Sequence, residues 1–357
     1  MNTSDGLSRV RSVGWNGWVF RRWLLPLVMC AAGLAGCREE VPPEVVVYTA
    51  LDQEFSQPIL DGFTAATGIV VRSKYDTEST KTVGLAQAIL AERERPRCDL
   101  FWNNEILNTL RLEREGLLRP YASPIAEGFP ASVRSPQNTW YGIAARARVL
   151  IVNTNQVAEA RRPKSIRDLL DPQWYDRVAI AKPLFGTTAT HATCLFTAWG
   201  DDRAQEFFRA VKRNATIMAG NKQVARAVAN GQLAFGLTDT DDALIEVAAG
   251  MPVTIIYPDQ GEGELGTLFI PNTLALVAKS PNAEAAEQLV DYLLSADVER
   301  RLADGPSAQI PLRTGVPASD RVMTPQQVRA MEVDWAAAAD RWETVAQFLQ
   351  AEFAAAN

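Results

Sequence analysis

The sequence predicts an α/β protein of two lobes, each a mostly parallel sheet flanked by helices, with the lobes joined by a two-strand hinge. Two observations lead to this prediction. Strand-like and helix-like segments alternate from residue 44 onward, which is the pattern of parallel sheets covered on both faces. Two extended runs, residues 141–153 and 266–280, are longer than their neighbours and enclose about 110 residues, the size of a small domain.

The elements follow one another in a regular order. EVVVYTALD opens with a β-branched run, FSQPILDGFTAATG has helical periodicity and stops at Gly68, and IVVRSKY is again strand-like. A helix near residues 80–94, the short strand CDLFW and a helix ending at Gly116 follow, and RVAIA, LAFGLT and VTIIY are later strands. Residues 261–266 have the spacing of a dinucleotide-binding loop, but they precede a strand, so we interpret them as an ordinary loop.

Composition indicates a globular chain that is acidic after residue 36. With 357 residues and 47% hydrophobic residues, the chain can bury a large core, and its length suggests about two domains. The formal net charge of −6 includes a leader, residues 1–36, whose four arginines and one aspartate contribute +3, so the rest carries about −9. We do not expect such a chain to bind nucleic acid.

The leader has the character of an export signal. Arginines precede the apolar run WLLPLVMCAAGLAGC, residues 23–37, which is shorter than the about 20 apolar residues that span a bilayer. Its end, LAGC, resembles the lipobox of bacterial lipoproteins, and this resemblance implies that Cys37 is lipidated and anchors the protein to the membrane. Residues 37–43 would then form a tether. RRWLL is also compatible with twin-arginine export, and a buried helix with a chance LAGC is the alternative.

Two cysteines, Cys98 and Cys194, follow Cys37. They belong to different predicted lobes and have no metal-binding spacing. We expect both to be buried thiols without a disulfide.

An acidic cluster follows one of the predicted strands. FGLTDTDDALIE places Asp239, Asp241 and Asp242 directly after LAFGL and before a helical pattern. Ligands of open α/β sheets bind beyond the carboxyl ends of strands, so these aspartates are candidates for contact with a ligand in the cleft between the lobes. The alternative is that Asp239 or Thr240 caps the following helix and the other aspartates interact with its dipole.

Several segments occur in the order found in one known family. They are VVVYTALDQEFSQPILDGFTAATGIVV, CDLFWNNE, GLLRPY, ARARVLIVN, LFGTTATH, NKQVARAVANGQLAFGLTDTDDA and IPNTLALVAKSPNAEAAEQLVDYLLS. The chain therefore resembles the ferric-iron-binding periplasmic proteins of ABC transporters, which belong to the extracellular solute-binding proteins. The resemblance covers nearly all of residues 44–357. It implies a two-lobed periplasmic-binding-protein fold that delivers a ligand to permease and ATPase subunits.

Together with the hinge runs, the resemblance implies boundaries for the two lobes. Lobe 1 would comprise residues 44–146 and 270–320, and lobe 2 would comprise residues 147–269 and 321–357.

The resemblance also implies a metal site, but with altered ligands. Iron-binding members hold Fe³⁺ with a histidine, a glutamate and two adjacent tyrosines, and the matching positions here are Asp52, Asn104 and the pair Asp241 and Asp242. The predicted metal ligands are therefore Asp52, Asp241 and Asp242. An all-oxygen set suits Mg²⁺, Ca²⁺ or Mn²⁺ at least as well as Fe³⁺. The ion would be a transported ligand, and no catalytic cofactor is expected.

The family's anion-binding loop is better matched. FGTT places Gly186, Thr187 and Thr188 at the start of a predicted helix, and Asn221 and Arg146 match residues near the bound anion. The complete predicted ligand-binding set is Asp52, Asn104, Arg146, Gly186, Thr187, Thr188, Asn221 and Asp239. The ligand could be a metal ion, a small oxyanion or both, and a phosphonate or phosphate ester without metal is the alternative. GTT could also be a plain turn.

Three aromatic residues have two interpretations each. His191, the single histidine, is either a partner of the GTT loop or an ordinary helix residue. Tyr48 and Trp102 end strands and either line the cleft or belong to the core.

The sequence predicts a binding protein and not an enzyme. A metal-dependent hydrolase is the competing class, but the chain lacks G-x-S-x-G, H-E-x-x-H and any pair of histidines. A membrane-anchored sensor with the same cleft is a third possibility. The sequence does not distinguish it from a transport component, but the neighbouring genes would.

Overall fold

The structure is a computed structural model that describes residues 42–76 and 82–354, and these residues belong to one compact unit. The predicted export signal, Cys37 and the tether up to residue 41 lie outside the described residues. None of the helices within the described ranges combines the length and apolar character needed to cross a bilayer.

The described residues form strands and helices in the alternating order that the sequence predicts. The strands are β1 Glu44–Thr49, β2 Val70–Tyr75, β3 Leu100–Asn103, β4 Tyr141–Asn153, β5 Val178–Ala181, β6 Thr216–Met218, β7 Phe235–Asp239, β8 Val253–Ile256 and β9 Phe269–Leu276. The α-helices are α1 Gln53–Thr67, α2 Val83–Ala91, α3 Leu107–Arg114, α4 Gly186–Trp199, α5 Asp201–Asn214, α6 Asn221–Ala229, α7 Thr240–Ala248, α8 Ala283–Leu293, α9 Ala296–Asp304 and α10 Trp335–Phe353. Residues 261–266 form a loop between β8 and β9, as predicted.

The sheet contains two parallel groups joined by antiparallel strands. Its order is β2-β1-β3-β9-β4-β7-β5-β6, and β8 also pairs with β4. Strands β1, β2 and β3 are mutually parallel, as are β5, β6 and β7, whereas β9 and β4 run antiparallel to their neighbours. The carboxyl ends of each parallel group, with the helix starts that follow them, are therefore gathered at one edge.

Strand β4 connects the two groups. It has the same bounds as the first predicted hinge run, and its first half pairs with β9 while its second half pairs with β7 and β8. Strand β9 is shorter than the second predicted run, residues 266–280, and it pairs with β3 and β4. The lobe boundaries given above remain predictions.

A bulge interrupts β4 at Ala144. This residue has φ +48°, and the register with β9 shifts between Ile143 and Ala145. Two buried side chains hold the bulge: Glu299 accepts the Ala144 N–H at 2.7 Å, and Asn272 Nδ2 donates to the Ala144 carbonyl at 3.3 Å. A bulge of this kind bends and twists the strand that carries it, and here it lies within the part of β4 that pairs with β9.

The C-terminal helix α10 packs on elements from both predicted lobes. It contacts α4, assigned to lobe 2, and α3, assigned to lobe 1. Its Asp340 forms an ion pair with Arg114 of α3 at 2.7 Å, and Glu352 pairs with Arg209 of α5 at 2.9 Å.

Both described cysteines are buried free thiols, as predicted. Burial raises the pKa of the Cys98 thiol and of the Cys194 thiol, because the thiolate would lose its hydration.

Asp259 is a buried carboxyl group in the loop after β8. Burial raises its pKa to about 6, and hydrogen bonds from the Ser165 hydroxyl and the Ile166 N–H offset only part of that rise. The folded-state pKa lies above the unfolded value, so this group stabilises the protein below about pH 4, and that stabilisation is lost as the pH rises through 6.

We therefore expect Asp259→Asn to flatten the pH dependence of stability. Between pH 4 and pH 7 the wild-type free energy of unfolding should fall relative to that of the variant by up to about 3 kcal/mol, because asparagine cannot ionise. Urea unfolding across this range measures the difference, with the exposed Asp304→Asn as control. Parallel curves for wild type and Asp259→Asn would contradict the assignment.

Candidate functional site

The acidic cluster lies where β7 ends and α7 begins. Asp239 is the last residue of β7, and Asp241 and Asp242 occupy the first turn of α7. All three are buried, and one carboxylate oxygen from each lies within 4.8 Å of the others. Three carboxylates at this separation repel one another unless opposite charges compensate them. Two arginines of β4 provide that compensation.

Arg148 compensates Asp239. Its guanidinium is fully buried, and Nη1 lies 2.7 Å from Asp239 Oδ1. The same group donates to Asn221 Oδ1 at 3.0 Å and to the hydroxyls of Thr187 and Thr188 at 3.3 Å each. The other Asp239 oxygen accepts from Thr187 Oγ1 at 2.5 Å and from Asn221 Nδ2 at 2.9 Å.

Part of the predicted anion-binding set, Thr187, Thr188 and Asn221, is here called the oxyanion cradle, and it binds a carboxylate of the protein itself. Thr187 and Asn221 donate to Asp239, whereas Thr188 donates to Asn221 and accepts from Arg148. Asp239 holds the N-cap position of α7, yet its side chain makes no capping hydrogen bond. The interpretation of the Asp239 side chain as a helix cap is therefore wrong, since its oxygens bind Arg148, Thr187 and Asn221.

Arg146 compensates Asp241. Its Nη1 lies 3.0 Å from Asp241 Oδ2, and its Nη2 donates to Asn272 Oδ1 at 2.8 Å. Gln309 Nε2 also donates to Asp241 Oδ2, at 3.3 Å. Burial lowers the pKa of the Arg146 guanidinium, but Asp241 and the neighbouring carboxylates outweigh that effect, so the net shift is upward.

The resemblance implied that Arg146 lies near a bound anion. In the structure Arg148 contacts the GTT turn, and Arg146 contacts Asp241. Residues two apart on a strand point to the same face, so the pattern ARARV could have indicated that both arginines face the cluster. A role for Arg146 in binding an anion remains a prediction.

A small cavity lies between the starts of α4 and α6. It measures about 20 Å³, and its lining includes Asn104, Lys182, Gly186 and Asn221. Asn104 is buried, and its Oδ1 has no hydrogen-bond partner among the described residues. This cavity has room for about one water-sized group next to two positive helix ends.

Asp52 lies at a different part of the site, at the start of α1. It lines a groove of about 580 Å³ together with Glu54, Tyr75, Asp76 and Lys222. Its carboxylate acts electrostatically on Arg146, which faces the cluster. Sequence reasoning missed Glu54, Lys182 and Lys222 because lone charged residues in helix first turns and loops carry no motif.

The remaining sequence candidates belong to the protein interior. Tyr48 and Trp102 are 3% and 0% exposed and lie in two different core clusters, so neither lines the cleft. His191 is buried, and burial together with the Arg148 charge lowers its pKa well below the usual value, so the imidazole is neutral. Its Nδ1 has no hydrogen-bond partner in the part of the chain that the structure describes.

Comparison with known families identifies the class of protein. The profile of the bacterial extracellular solute-binding proteins matches residues 106–341. The chain belongs to this family. Proteins of the family bind solutes for transport and are not enzymes, as the sequence predicted.

Individual relatives bind different cargoes. The major ferric iron-binding protein of Neisseria meningitidis is 26% identical over 266 residues, which cover 72% of this chain and 78% of the relative. A putative 2-aminoethylphosphonate-binding periplasmic protein of Salmonella typhi is 24% identical over 274 residues, which cover 75% of this chain and 77% of the relative.

The fold is shared with solved two-lobed periplasmic binding proteins. Iron-bound HitA from Pseudomonas aeruginosa superposes with a TM-score of 0.78 at 23% identity, over 86% of this chain and 99% of that one. The predicted fold class is therefore confirmed.

We expect Arg148 and Asp239 to be energetically coupled. Arg148→Met and Asp239→Leu should each cost about 3 to 5 kcal/mol of unfolding free energy, because each leaves a buried charge without its partner. The double variant should cost clearly less than the two costs added together. Urea unfolding of the four proteins measures the coupling, with Arg72→Met in an exposed ion pair as control. Simple additivity would contradict the proposed pairing.

Proposed function

We propose that this extracellular solute-binding protein captures a metal cation, Fe³⁺ or a divalent ion, for an ABC importer. The carboxylates that bind it are Asp52, Asp241 and Asp242. Asp239 contributes to the negative electrostatic potential of the site. The cargo is a transported substrate and not a catalytic cofactor.

The grouping of Asp239, Asp241 and Asp242 within 4.8 Å carries this proposal. The four aspartates of the site carry four formal negative charges, and the two guanidinium groups of β4 together with the Lys222 ammonium carry three positive ones. Glu54, which pairs with Lys222, brings the formal net charge of these groups to −2. A cation reduces this remaining repulsion, whereas an anion increases it. Carboxylate oxygens are the ligands that hard cations prefer, so Fe³⁺, Mn²⁺, Ca²⁺ and Mg²⁺ all suit the donor set.

The hydrogen bonds that the oxyanion cradle already makes also favour a cation over an anion. Thr187, Thr188 and Asn221 already donate to, or share hydrogen bonds with, the Asp239–Arg148 pair. An external anion would have to compete with Asp239 for these donors. An iron-binding relative, the Neisseria protein described above, is consistent with cation cargo.

A small oxyanion such as a phosphonate or phosphate ester is the second candidate. The positive charge beside Asn104 favours it, because Lys182 and two helix starts lie there. The cavity of about 20 Å³ would have to widen before it could hold such an anion. The phosphonate-binding relative of Salmonella typhi supports this candidate. If a cation and an anion bind together, the cation would lie at the aspartates and the anion in the cavity beside Lys182.

The proposed transport role includes location and partners. The chain would lie in the periplasm, anchored through a lipid on Cys37, and would deliver its cargo to permease and ATPase subunits. The leader ending in LAGC is the basis for the anchor.

We expect a cation to raise the melting temperature of the protein. At a concentration of 100 times its Kd, a ligand stabilises the folded state by about 2.7 kcal/mol, which corresponds to roughly 5 °C or more for a chain of this size. Thermal unfolding with Fe³⁺, Mn²⁺, Ca²⁺, Mg²⁺, citrate, carbonate, phosphate and phosphonates measures this. Asp241→Asn with Asp242→Asn should abolish the shift, and the exposed Asp297→Asn should keep it. A shift with anions alone would favour the second candidate and contradict the first.

The lipid anchor has its own test. Cys37→Ser in the full-length chain should move the exported protein from the detergent-extracted membrane fraction to the soluble fraction, because the lipid attachment site is lost. Immunoblotting of the two fractions measures the change, and Cys98→Ser serves as control. An unchanged distribution would contradict the anchor.

A further inference from the structure

A lysine from one parallel group reaches the acidic groove of the other. Lys222 lies in the first turn of α6, and its Nζ is 2.5 Å from Oε1 of Glu54 in the first turn of α1. The two side chains are 30% and 50% exposed, so the pair lies at the mouth of the site. Helix α6 packs on β7, β5 and β4, whereas α1 packs on β2. The ion pair therefore joins elements from the two parallel groups.

The position of Lys222 is unfavourable within its own helix. The N-terminus of a helix carries a partial positive charge, which repels a cation in the first turn. Glu54 is in the favourable arrangement, since it is an acidic residue in the first turn of α1. Carboxylates outside α6 must therefore compensate the charge of Lys222.

Those carboxylates include two of the proposed metal ligands. Burial lowers the pKa of Lys222, but Glu54, Asp52 and Asp242 raise it by more, so the net shift is upward. Lys222 also lines the same groove as Asp52. The ammonium group thus lies in the groove that Asp52 lines, paired with Glu54, and it is within electrostatic range of Asp242.

We propose that Lys222 is a tethered counter-ion that competes with the cargo for Asp52 and Asp242. Before a cation binds, the ammonium group offsets part of the repulsion between these carboxylates, and the cargo must displace it. Lys222 would then set the specificity of the site. The net gain on binding is the attraction of the carboxylates for the cation minus their attraction for the ammonium group that the cation displaces. Monovalent ions gain little from this exchange, whereas ions of higher charge gain much more. This inference rests on the proposed binding of a cation.

The first test compares three variants by calorimetric titration with Mn²⁺. Lys222→Met should bind Mn²⁺ about tenfold more tightly than wild type, because removal of a nearby like charge favours a cation. Lys222→Arg keeps the competing charge and should stay within about threefold of wild type. Arg72→Met removes the same charge from an exposed ion pair with Glu44 and should change the affinity by less than about twofold.

The second test follows the lysine itself in the wild-type protein. If the cation displaces the ammonium group, saturating Mn²⁺ should increase the acylation rate of Lys222 by an amine-reactive ester about threefold or more, as measured by peptide mass spectrometry. Lys279, which is exposed, provides the internal reference. A lysine that merely stabilises the fold would show no such change.

The outcomes separate this inference from the proposed function. If wild type binds Mn²⁺ while Lys222→Met binds it equally or more weakly, the counter-ion role is overturned and the cation site stands. A labelling rate at Lys222 that Mn²⁺ leaves unchanged or lowers also overturns the role. If neither wild type nor any variant binds Mn²⁺ or Fe³⁺, the proposed cation cargo is overturned, and the counter-ion role with it.

Discussion

The ion pair of Arg148 and Asp239 is the interaction on which the ligand end of this fold depends. Arg148 is 0% exposed, and a guanidinium without counter-charge is very costly to bury. Asp239 supplies that charge from the end of β7, and Thr187 of α4 and Asn221 of α6 form hydrogen bonds with both members of the pair. Arg148 Nε has no hydrogen-bond partner among the described residues. One charged pair thus fixes the relative positions of a strand end and two helix starts. Under the function proposed above, the pair also engages donors of Thr187 and Asn221 that a bound anion would need, so it would affect the choice of cargo as well as stability.

Much of the fold could be predicted from local sequence. The alternation of β-branched runs and amphipathic segments indicated the α/β class, Gly68 marked the end of α1 with φ +76°, and the length of residues 141–153 indicated the unusual strand β4. The Asp cluster and the GTT turn were also recognised, because both follow strand ends. The bulge at Ala144 could not be predicted, since it depends on the distant side chains Asn272 and Glu299.

The pairing within the site was less predictable. Arg148 and Asp239 are 91 positions apart, and Lys222 and Glu54 are 168 positions apart, so no local pattern relates them. The resemblance identified residue types that surround a ligand, but it did not indicate that Asp239 would itself occupy the cradle. A short network also links the cluster to the bulge: Asp241 accepts from Gln309, whose Oε1 accepts from Asn272, which donates to the Ala144 carbonyl. Strand β4, which joins the two parallel groups, is therefore connected through hydrogen bonds to Asp241, a residue proposed to bind the transported ion.

The burial of Cys98 and Cys194 has a practical consequence. Their thiols are inaccessible, and their raised pKa keeps them protonated at neutral pH. Within residues 42–76 and 82–354 no other cysteine is present. A cysteine introduced at the surface of α1 or α6 would react with a maleimide dye far faster than either native thiol. A donor and an acceptor placed on these two helices could then report changes in the distance between them by energy transfer, without replacement of Cys98 or Cys194.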